Sequence, residues 1–351
     1  MASEVYFSKL EKGDRIKECM IKMLDRLDPF LSAFGRGSFV GIKMTVGDQG
    51  STGYIKPETI GMLVKKLKKQ GAKPFVFDTN VIYHGKRQNA IDHLNLAYQK
   101  GFTPGKIGCP YIIADSVFGT DSIFLKADFN NIKEIKVPSL VKMLDDLIVL
   151  SHVTGHLMSG YAGSIKNVAM GMSSRAGKQI QHSSIKPMIN VDKCTMCGAC
   201  IDVCPVSAIS ELSNNAYINT KACVGCAECI AACKIQAVNI NWHEEPHIFA
   251  ERMSEYAMGI LSHIKRKIFL NFATDITLEC DCICGDDHRI FEDCGIFASE
   301  DILAVDKSSF DVLTEGRDVF SRGGRISAHQ HQFTYAEEIG LGSTDYKLVT
   351  F

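Results

Sequence analysis

The sequence lacks several features that would assign it to a protein class at once. Its 39 basic and 40 acidic residues leave a formal net charge of -1, so bulk charge does not attract it to nucleic acid or to an anionic membrane. No apolar run approaches the roughly 20 residues that a transmembrane helix needs. Residues 1–15 lack the apolar segment of a secretory signal peptide. No Walker or GxGxxG motif occurs, and no flavin, nicotinamide or molybdenum motif is visible.

Cysteine, in contrast, is abundant. Fourteen cysteines without an export signal favour a reducing cytoplasm and metal ligation over disulfides. Eight of them form two runs with the spacing C-x2-C-x2-C-x3-C: Cys194, Cys197, Cys200 and Cys204, then Cys223, Cys226, Cys229 and Cys233. This is the spacing of bacterial ferredoxins, in which the fourth cysteine of each run ligates the other run's cluster. Because clusters of this type near solvent are sensitive to oxygen, we expect an anaerobic or microaerobic host.

The two runs predict two 4Fe–4S clusters with crossed ligation. Three thiolates on a tight loop bind three iron corners, and the fourth cysteine begins a helical turn that points away. Cluster 1 is therefore assigned to Cys194, Cys197, Cys200 and Cys233, and cluster 2 to Cys223, Cys226, Cys229 and Cys204. Pro205 follows the first run, whereas Lys234 stands at the equivalent position of the second, which removes a backbone restraint but no ligand. Disulfides or zinc are the alternatives, but zinc sites use two pairs of ligands, not interleaved quartets.

Strand and helix patterns alternate on both sides of these runs and predict an α/β fold with a largely parallel sheet. Strands are predicted at 4–8, 38–46, 74–78, 111–115, 147–153, 267–274 and 346–351, with hairpins at Asn130-Asn131 and at residues 213–215. Helices are predicted at 15–27, 57–69, 87–99, 139–146 with Ser139 as its cap, 248–265 and 301–312. We expect residues 1–187 and 243–351 to form one α/β domain. A two-cluster, ferredoxin-like α+β domain, residues 188–242, is inserted in it.

Ligands of parallel sheets bind beyond the carboxyl ends of the strands, and three polar loops are predicted at that edge. They contain Lys43, Gly47, Gly50 and Gly53; then Asp78, Thr79, Asn80, His84 and Arg87; then Lys166, Asn167, Arg175 and Lys178. Glycines let backbone N–H groups approach an anion, and basic side chains neutralise it. Together the loops predict an anion-binding cleft, although each alone also fits an ordinary solvated turn. His152 and His156 would pair on a metal only in a helix, so we interpret them as hydrogen-bonded loop histidines.

A second cysteine group, Cys280, Cys282, Cys284 and Cys294, follows the sixth predicted strand. The alternation C-x-C-x-C is typical of a strand with three sulfurs on one face, and it matches no standard zinc spacing. We interpret Cys284 and Cys294 as reduced structural cysteines. For Cys280 and Cys282 a structural role and a labile metal or redox role both remain open.

Several longer stretches are distinctive when they are taken together. They are IKMTVGDQGSTGYIKPE, KPFVFDTNVIYHGKRQNAIDHL, SIKNVAMGMSSRAGKQIQH, the two cysteine runs, LECDC, GIFASEDILAVDKSSFDVL and YAEEIGLGSTDYKLV. With them the chain resembles the ferredoxin-containing iron–sulfur proteins of the domain-of-unknown-function 362 family. The resemblance implies an α/β domain with a two-cluster ferredoxin module in cytoplasmic prokaryotic redox metabolism, and it implies no particular reaction. An aliphatic residue is expected where this chain has Cys294.

Two functions follow from these patterns. The first is an electron-transfer protein that relays single electrons between redox partner proteins, such as a ferredoxin or an oxidoreductase. The alternative is a cluster-dependent oxidoreductase that binds a small anion through Lys43, Lys166 and Arg175, with Cys280 and Cys282 nearby. Clusters carry one electron and rarely reduce organic bonds without a converter, which favours the first. No nucleic-acid or membrane partner is expected, and a homodimer is compatible with the sequence.

Overall fold

The computed structural model describes residues 2–83, 85–182, 186–223, 229, 232–233, 235, 237–239, 246–281, 288–315, 317, 319–320 and 328–351. The helices are Ile16–Arg26 (α1), Asp28–Ser32 (α2), Pro57–Lys69 (α3), Ala90–Gln99 (α4), Pro104–Ile107 (α5), Ser139–Met143 (α6), Ser164–Ala169 (α7), Arg175–His182 (α8), Ala199–Asp202 (α9), Pro246–Leu261 (α10), Ile302–Thr314 (α11) and His329–Glu338 (α12). The strands are Ser3–Lys9 (β1), Phe39–Lys43 (β2), Lys73–Asp78 (β3), Tyr111–Ile113 (β4), Ile123–Lys126 (β5), Glu134–Val137 (β6), Asp146–His152 (β7), Thr154–His156 (β8), Gly160–Ala162 (β9), Met188–Ile189 (β10), Ile209–Leu212 (β11), Asn215–Ile218 (β12), Val238–Asn239 (β13), Arg266–Ala273 (β14), Gly295–Ser299 (β15) and Tyr346–Thr350 (β16).

One eight-stranded sheet organises the molecule, in the order β16-β1-β15-β14-β7-β2-β3-β4. Strand β15 is antiparallel to both of its neighbours, and the other neighbouring pairs are parallel. The predicted mixed α/β fold with a mostly parallel sheet is therefore confirmed. Strand β14 follows the cysteine runs in the chain and pairs with β7, which precedes them. Chain segments from both sides of the runs thus complete the same sheet.

Apolar side chains of the central strands alternate between two cores, one on each face of the sheet. In β7, Leu147 and Val149 join the core that helices α7, α10 and α11 cover, whereas Ile148 and Leu150 join the core under α1 and α3. Burial on both faces is typical of parallel strands. Helix α10 packs against α7 and α12 and is buried over most of its length, so the expected amphipathic helix is instead a core helix.

The structure differs from the predictions at several elements. Helix α6 ends at Met143 rather than 146, and its cap position is Pro138, while the Ser139 hydroxyl donates to Asp121. Strand β15 was missed because an apolar strand buried on both faces shows no alternation. Helices α7 and α8 were interpreted as a glycine-rich loop. Within α8, Gly177 is needed because a Cβ there would overlap the carbonyl of Lys136.

The region of the cysteine runs has an apolar cluster of its own, which includes Ile209, Ala216, Ile218 and Val238. The predicted hairpin is present, and strands β11 and β12 pair across it in antiparallel register. Its turn is made by Ser213 and Asn214 at positive φ, 52° and 60°, as tight hairpin turns require. In the described part of the chain, no helix is both long and apolar enough to cross a membrane.

Candidate functional site

A cleft of about 560 Å³ lies at the carboxyl ends of the central strands. The three loops expected at this edge all contribute to it. Lys43 ends β2 and Thr45 follows it, Asp78 ends β3 and Thr79 follows it, and the third group begins at the end of β7. Its volume is in the range of small-molecule sites. The sheet topology thus brings together side chains that are more than 100 positions apart in the sequence.

Lys43 lies at this cleft but is neutralised within the protein. Its side chain is 1% exposed, and its ammonium lies 3.1 Å from Asp78 Oδ1 and donates to Asn167 Oδ1 at 2.7 Å. Burial lowers the pKa of Lys43, and the negative charge of Asp78 opposes that shift. Burial disfavours the charged form of Asp78, but the surrounding positive charges, Lys43 first, hold its pKa below the ordinary value. We therefore interpret Lys43 as part of a buried ion pair.

Arg87 is the second basic group of the cleft, and it too faces carboxylates. Its guanidinium is 3.8 Å from Asp78 Oδ2 and 3.6 Å from Asp48 Oδ2. It also donates to Tyr83 Oη and Thr45 Oγ1. Arg87 therefore connects the loop after β2 to the end of β3 and the loop that follows it.

Two further lysines line the cleft from helices α7 and α8. Burial lowers the pKa of Lys166 to about 7, and the charge of Asp281 opposes the shift. Burial likewise lowers the pKa of Lys178 to about 8, opposed by Asp115. Lys178 donates to Thr79 Oγ1 at 2.7 Å and to the carbonyl of Ser173. Near neutral pH these two lysines can change protonation state, which the sequence alone did not indicate.

Arg175, the third predicted anion ligand, lies away from the cleft lining. Its side chain is 2% exposed and donates to the carbonyl of Phe118 at 3.2 Å. Gly119 makes room for it, since a Cβ there would overlap the arginine side chain. We interpret its role as fixing the loop after β4. Of the other predicted positions, His84 and Cys282 lie outside the described residues.

His152 and Asp281 form a buried pair beside the cleft. His152 Nδ1 is 2.8 Å from Asp281 Oδ2, and Nε2 is 2.6 Å from the carbonyl of Thr274. Both nitrogens face oxygen acceptors, an arrangement that favours the imidazolium form, in which both nitrogens donate. Burial would lower its pKa, but Asp281 outweighs burial and raises it.

His156 Nδ1 accepts from backbone N–H groups of Met158 and Ser159. Both histidines are hydrogen-bonded, as expected, but they lie in strands rather than a loop.

Three glycines around the cleft lie close to neighbouring atoms. A Cβ at Gly53 would lie 2.9 Å from His152 Cε1, and one at Gly47 would lie 2.9 Å from Ser51 Oγ. On the opposite side, a Cβ at Gly155 would overlap the carbonyl of Leu278. Gly155 therefore lets the segment 278–281 pack closely against β8, and Gly53 makes room for the side chain of His152.

Cys280 lies in that segment and lines the cleft. It is disulfide-bonded, whereas the other described cysteines are free. Cys280 and Asp281 are not in a strand, which differs from the expected alternation, and Cys284 is also outside the described part. Cys294 packs at the edge of a core, where burial raises its pKa to about 11. That environment fits a structural thiol.

In the cysteine-run region, one pocket is lined by Cys194, Cys197, Cys200 and Cys233. Backbone N–H groups of Ala208, Ala216 and Ala237 point at the sulfurs of Cys204, Cys194 and Cys233, at 3.2, 3.4 and 3.1 Å. Cys226 lies outside the described residues. Among those that are described, no group of three or more His, Cys, Asp or Glu side chains is arranged to hold one metal ion.

The chain belongs to the DUF362 family, because the family model described as "Domain of unknown function (DUF362)" matches residues 40–311. No curated protein matches it significantly. Among solved structures, the lactate racemase apoprotein from Thermoanaerobacterium thermosaccharolyticum aligns with a TM-score of 0.38 and 12% identity, covering 78% of this chain and 51% of that one. A Thermotoga maritima protein aligns with a TM-score of 0.38 and 12% identity, covering 73% and 50%. The chain thus spans about half the length of these structures, and similarity at this level supports no inference about function.

Proposed function

We propose that this chain is an iron–sulfur protein that passes single electrons between redox partners through two 4Fe–4S clusters. The observation that carries the proposal is the pocket lined by Cys194, Cys197, Cys200 and Cys233. Three of these sulfurs come from the first run and one from the second. The four belong to one quartet of the crossed arrangement that the spacing predicts.

The surroundings of these thiols fit such a group. The seven described cysteines of the two runs are free thiols, which argues against structural disulfides there. In a 4Fe–4S cluster each thiolate binds a different iron, so the four sulfurs stand farther apart than ligands of one ion. Interleaved quartets from two runs fit a pair of clusters, whereas zinc sites use two pairs of ligands.

The protein's own groups would set the properties of the clusters. When bound, the clusters supply one-electron redox chemistry. Backbone N–H groups of Ala208, Ala216 and Ala237 donate to the cysteine sulfurs and offset negative charge, which favours the reduced state. Apolar side chains such as Ile209 and Ile218 exclude water from the ligands. Cys197 is exposed, so the first quartet lies near the surface, where a partner protein can exchange electrons.

The test is electron exchange with a small ferredoxin under anaerobic conditions. Wild-type protein should accept electrons from the reduced ferredoxin, as followed by visible absorbance. Cys197→Ala should lose most of this exchange, because it removes the exposed ligand. Cys109→Ala is the matched control, since Cys109 is buried in the α/β core. Equal exchange by Cys197→Ala and wild type would contradict the proposal.

A second candidate, an oxidoreductase that acts on a small anion, is favoured by the cleft at the strand ends. Lys166 and Lys178 line the cleft, whereas Lys43 and Arg87 face internal carboxylates. Small dianions should raise the melting temperature of the protein, and Lys166→Met should reduce that rise. Lys133→Met is the control, because Lys133 is exposed and pairs locally with Asp128. If dianions stabilise Lys166→Met as much as wild type, Lys166 does not bind them.

A further inference from the structure

Lys178 is buried on helix α8, and its amino group contacts two acceptors. It donates to Thr79 Oγ1 at 2.7 Å and to the carbonyl of Ser173 at 2.6 Å. The Thr79 hydroxyl gives its own proton to the carbonyl of Gly171 at 2.9 Å, so towards Lys178 it can only accept. Both acceptors are uncharged, and within the described part of the chain Lys178 forms no ion pair.

Lys43, at the end of β2, shows what a buried ammonium requires. Its nitrogen faces three acceptors, the carbonyl of Met44 at 3.2 Å, Asn167 Oδ1 at 2.7 Å and Asp78 Oδ1 at 3.1 Å. The last of these is a carboxylate, so the charge is balanced and each N–H group has a partner. A protonated Lys178 would instead bury a charge whose third N–H group finds no acceptor among the described residues.

The contacts of Lys178 match the neutral amine. An amine nitrogen carries two N–H groups and one lone pair, whereas an ammonium carries three N–H groups. Thr79 and Ser173 accept the two N–H groups, which leaves the lone pair for a ligand. A buried lysine of this kind can act as a nucleophile towards carbonyl compounds.

The charges around Lys178 favour the same form. Burial is the main cause that lowers its pKa to about 8. The negative charges of Asp115 and Asp78 oppose this shift, and the positive charges of Lys43 and Arg175 add to it. Near neutral pH, part of the protein therefore carries Lys178 with a reactive nitrogen.

Lys178 and Thr79 both line the cleft of about 560 Å³ at the strand ends. We propose that Lys178 is the nucleophile of a carbonyl-binding site in this cleft, which captures a small aldehyde or ketone as an imine. The cleft has the volume of a small-molecule site. This activity is separate from electron transfer and from the binding of an anion.

The step needs no further reactant. The lone pair attacks the carbonyl carbon and forms a C–N bond, and the oxygen takes up the proton that the nitrogen loses. With one more proton from solvent, that oxygen leaves as water and a protonated C=N bond forms. No electrons are transferred. The protonated imine keeps one N–H group, for which Thr79 or Ser173 remains an acceptor.

Reductive alkylation of the holoprotein with formaldehyde or acetone tests the proposal, because cyanoborohydride reduces the imine and leaves a stable mark on the lysine. The reaction is run at pH 7 under anaerobic conditions, and modified peptides are quantified by mass spectrometry. We expect Lys178 to gain methyl groups at least about tenfold faster than exposed Lys133, because only the neutral amine attacks a carbonyl. Lys43 is the matched buried control. It lines the same cleft within an ion pair and should stay unmodified.

Acetone distinguishes capture of a ketone from simple basicity, because its imine must fit inside the cleft. We expect isopropylation of Lys178, and methylation without isopropylation would overturn the proposal. So would equal methylation rates at Lys178 and Lys133, or methylation of Lys43 as fast as that of Lys178. The advantage of Lys178 over Lys133 should shrink as the pH rises from 7 to 9, and an advantage that grew would contradict the neutral amine.

Each readout is the modification of one lysine, so it depends neither on the clusters nor on the binding of a dianion. Failure of this proposal would therefore leave both candidate functions standing. Conversely, loss of the clusters or of dianion binding would leave the modification of Lys178 unchanged.

Discussion

The buried pair of Lys43 and Asp78 gives the sharpest prediction about stability. In Asp78→Asn the shape is kept, but the carboxylate that faces Lys43 at 3.1 Å and Arg87 at 3.8 Å loses its charge. Lys43 is 1% exposed and Asp78 is 3% exposed, so water cannot replace the lost partner. Breaking a buried pair in this way costs about 3–5 kcal/mol. We expect a loss of that size in the free energy of unfolding, measured by urea denaturation at pH 7.

Two further variants separate this explanation from a general effect of mutation. Replacing both partners with Lys43→Met and Asp78→Asn should recover part of the loss, because no unpaired ammonium is then buried. Asp128→Asn, in an exposed pair with Lys133, should change stability little. A double variant no more stable than Asp78→Asn alone would refute the reasoning.

The same variant predicts a dependence on pH. The native structure lowers the pKa of Asp78, so the stabilisation is complete above the ordinary aspartate pKa of about 3.9. It is lost as the pH falls through the lowered, folded-state value. The difference in stability between wild type and Asp78→Asn should therefore be constant near neutral pH and shrink in acid. A difference that instead grew as the pH fell would contradict the assignment.

Three other predictions concern packing, capping and protonation. Gly155→Ala should cost about 1–3 kcal/mol in urea unfolding, because its Cβ would overlap the carbonyl of Leu278, whereas Gly105→Ala, with nothing within 4 Å, should cost little. Asp301→Ala should cost about 1 kcal/mol in the same assay, because its carboxylate accepts from two N–H groups of the first turn of α11. The folded structure lowers the pKa of Lys178 to about 8, so wild type should gain stability relative to Lys178→Met as the pH rises from 8 to 10.

Elements whose first and last residues are marked by proline or glycine could be predicted from the sequence. Helix α3 was predicted to the residue, because Pro57 favours its first turn and the chain turns at Gly71 with a positive φ of 87°. Strand β15 and helix α7 could not be predicted. The residues of these two elements are buried on all sides or pack closely against neighbouring segments. Neither feature produces a periodic pattern of apolar and polar residues.

The sequence predicted where the candidate site lies, but not which of its side chains contact one another. Strand order placed the three loops at one edge, and the cleft is there. The sequence could not separate Lys43, which faces a buried carboxylate, from Lys166, which lines the cleft. It also gave no signal for the contact between His152 and Asp281, because 129 positions separate the two residues. Pairings of this kind depend on the tertiary structure alone.

The most direct test of the crossed cysteine ligation is the iron and sulfide content of anaerobically purified protein, combined with EPR of the reduced state. We expect about eight irons per chain in wild type, which follows from two 4Fe–4S clusters. In Cys204→Ala the damage should appear at the cluster that Cys223, Cys226 and Cys229 hold. Damage confined to the cluster of Cys194, Cys197 and Cys200 would contradict crossed ligation, and zinc in place of iron would contradict the account as a whole.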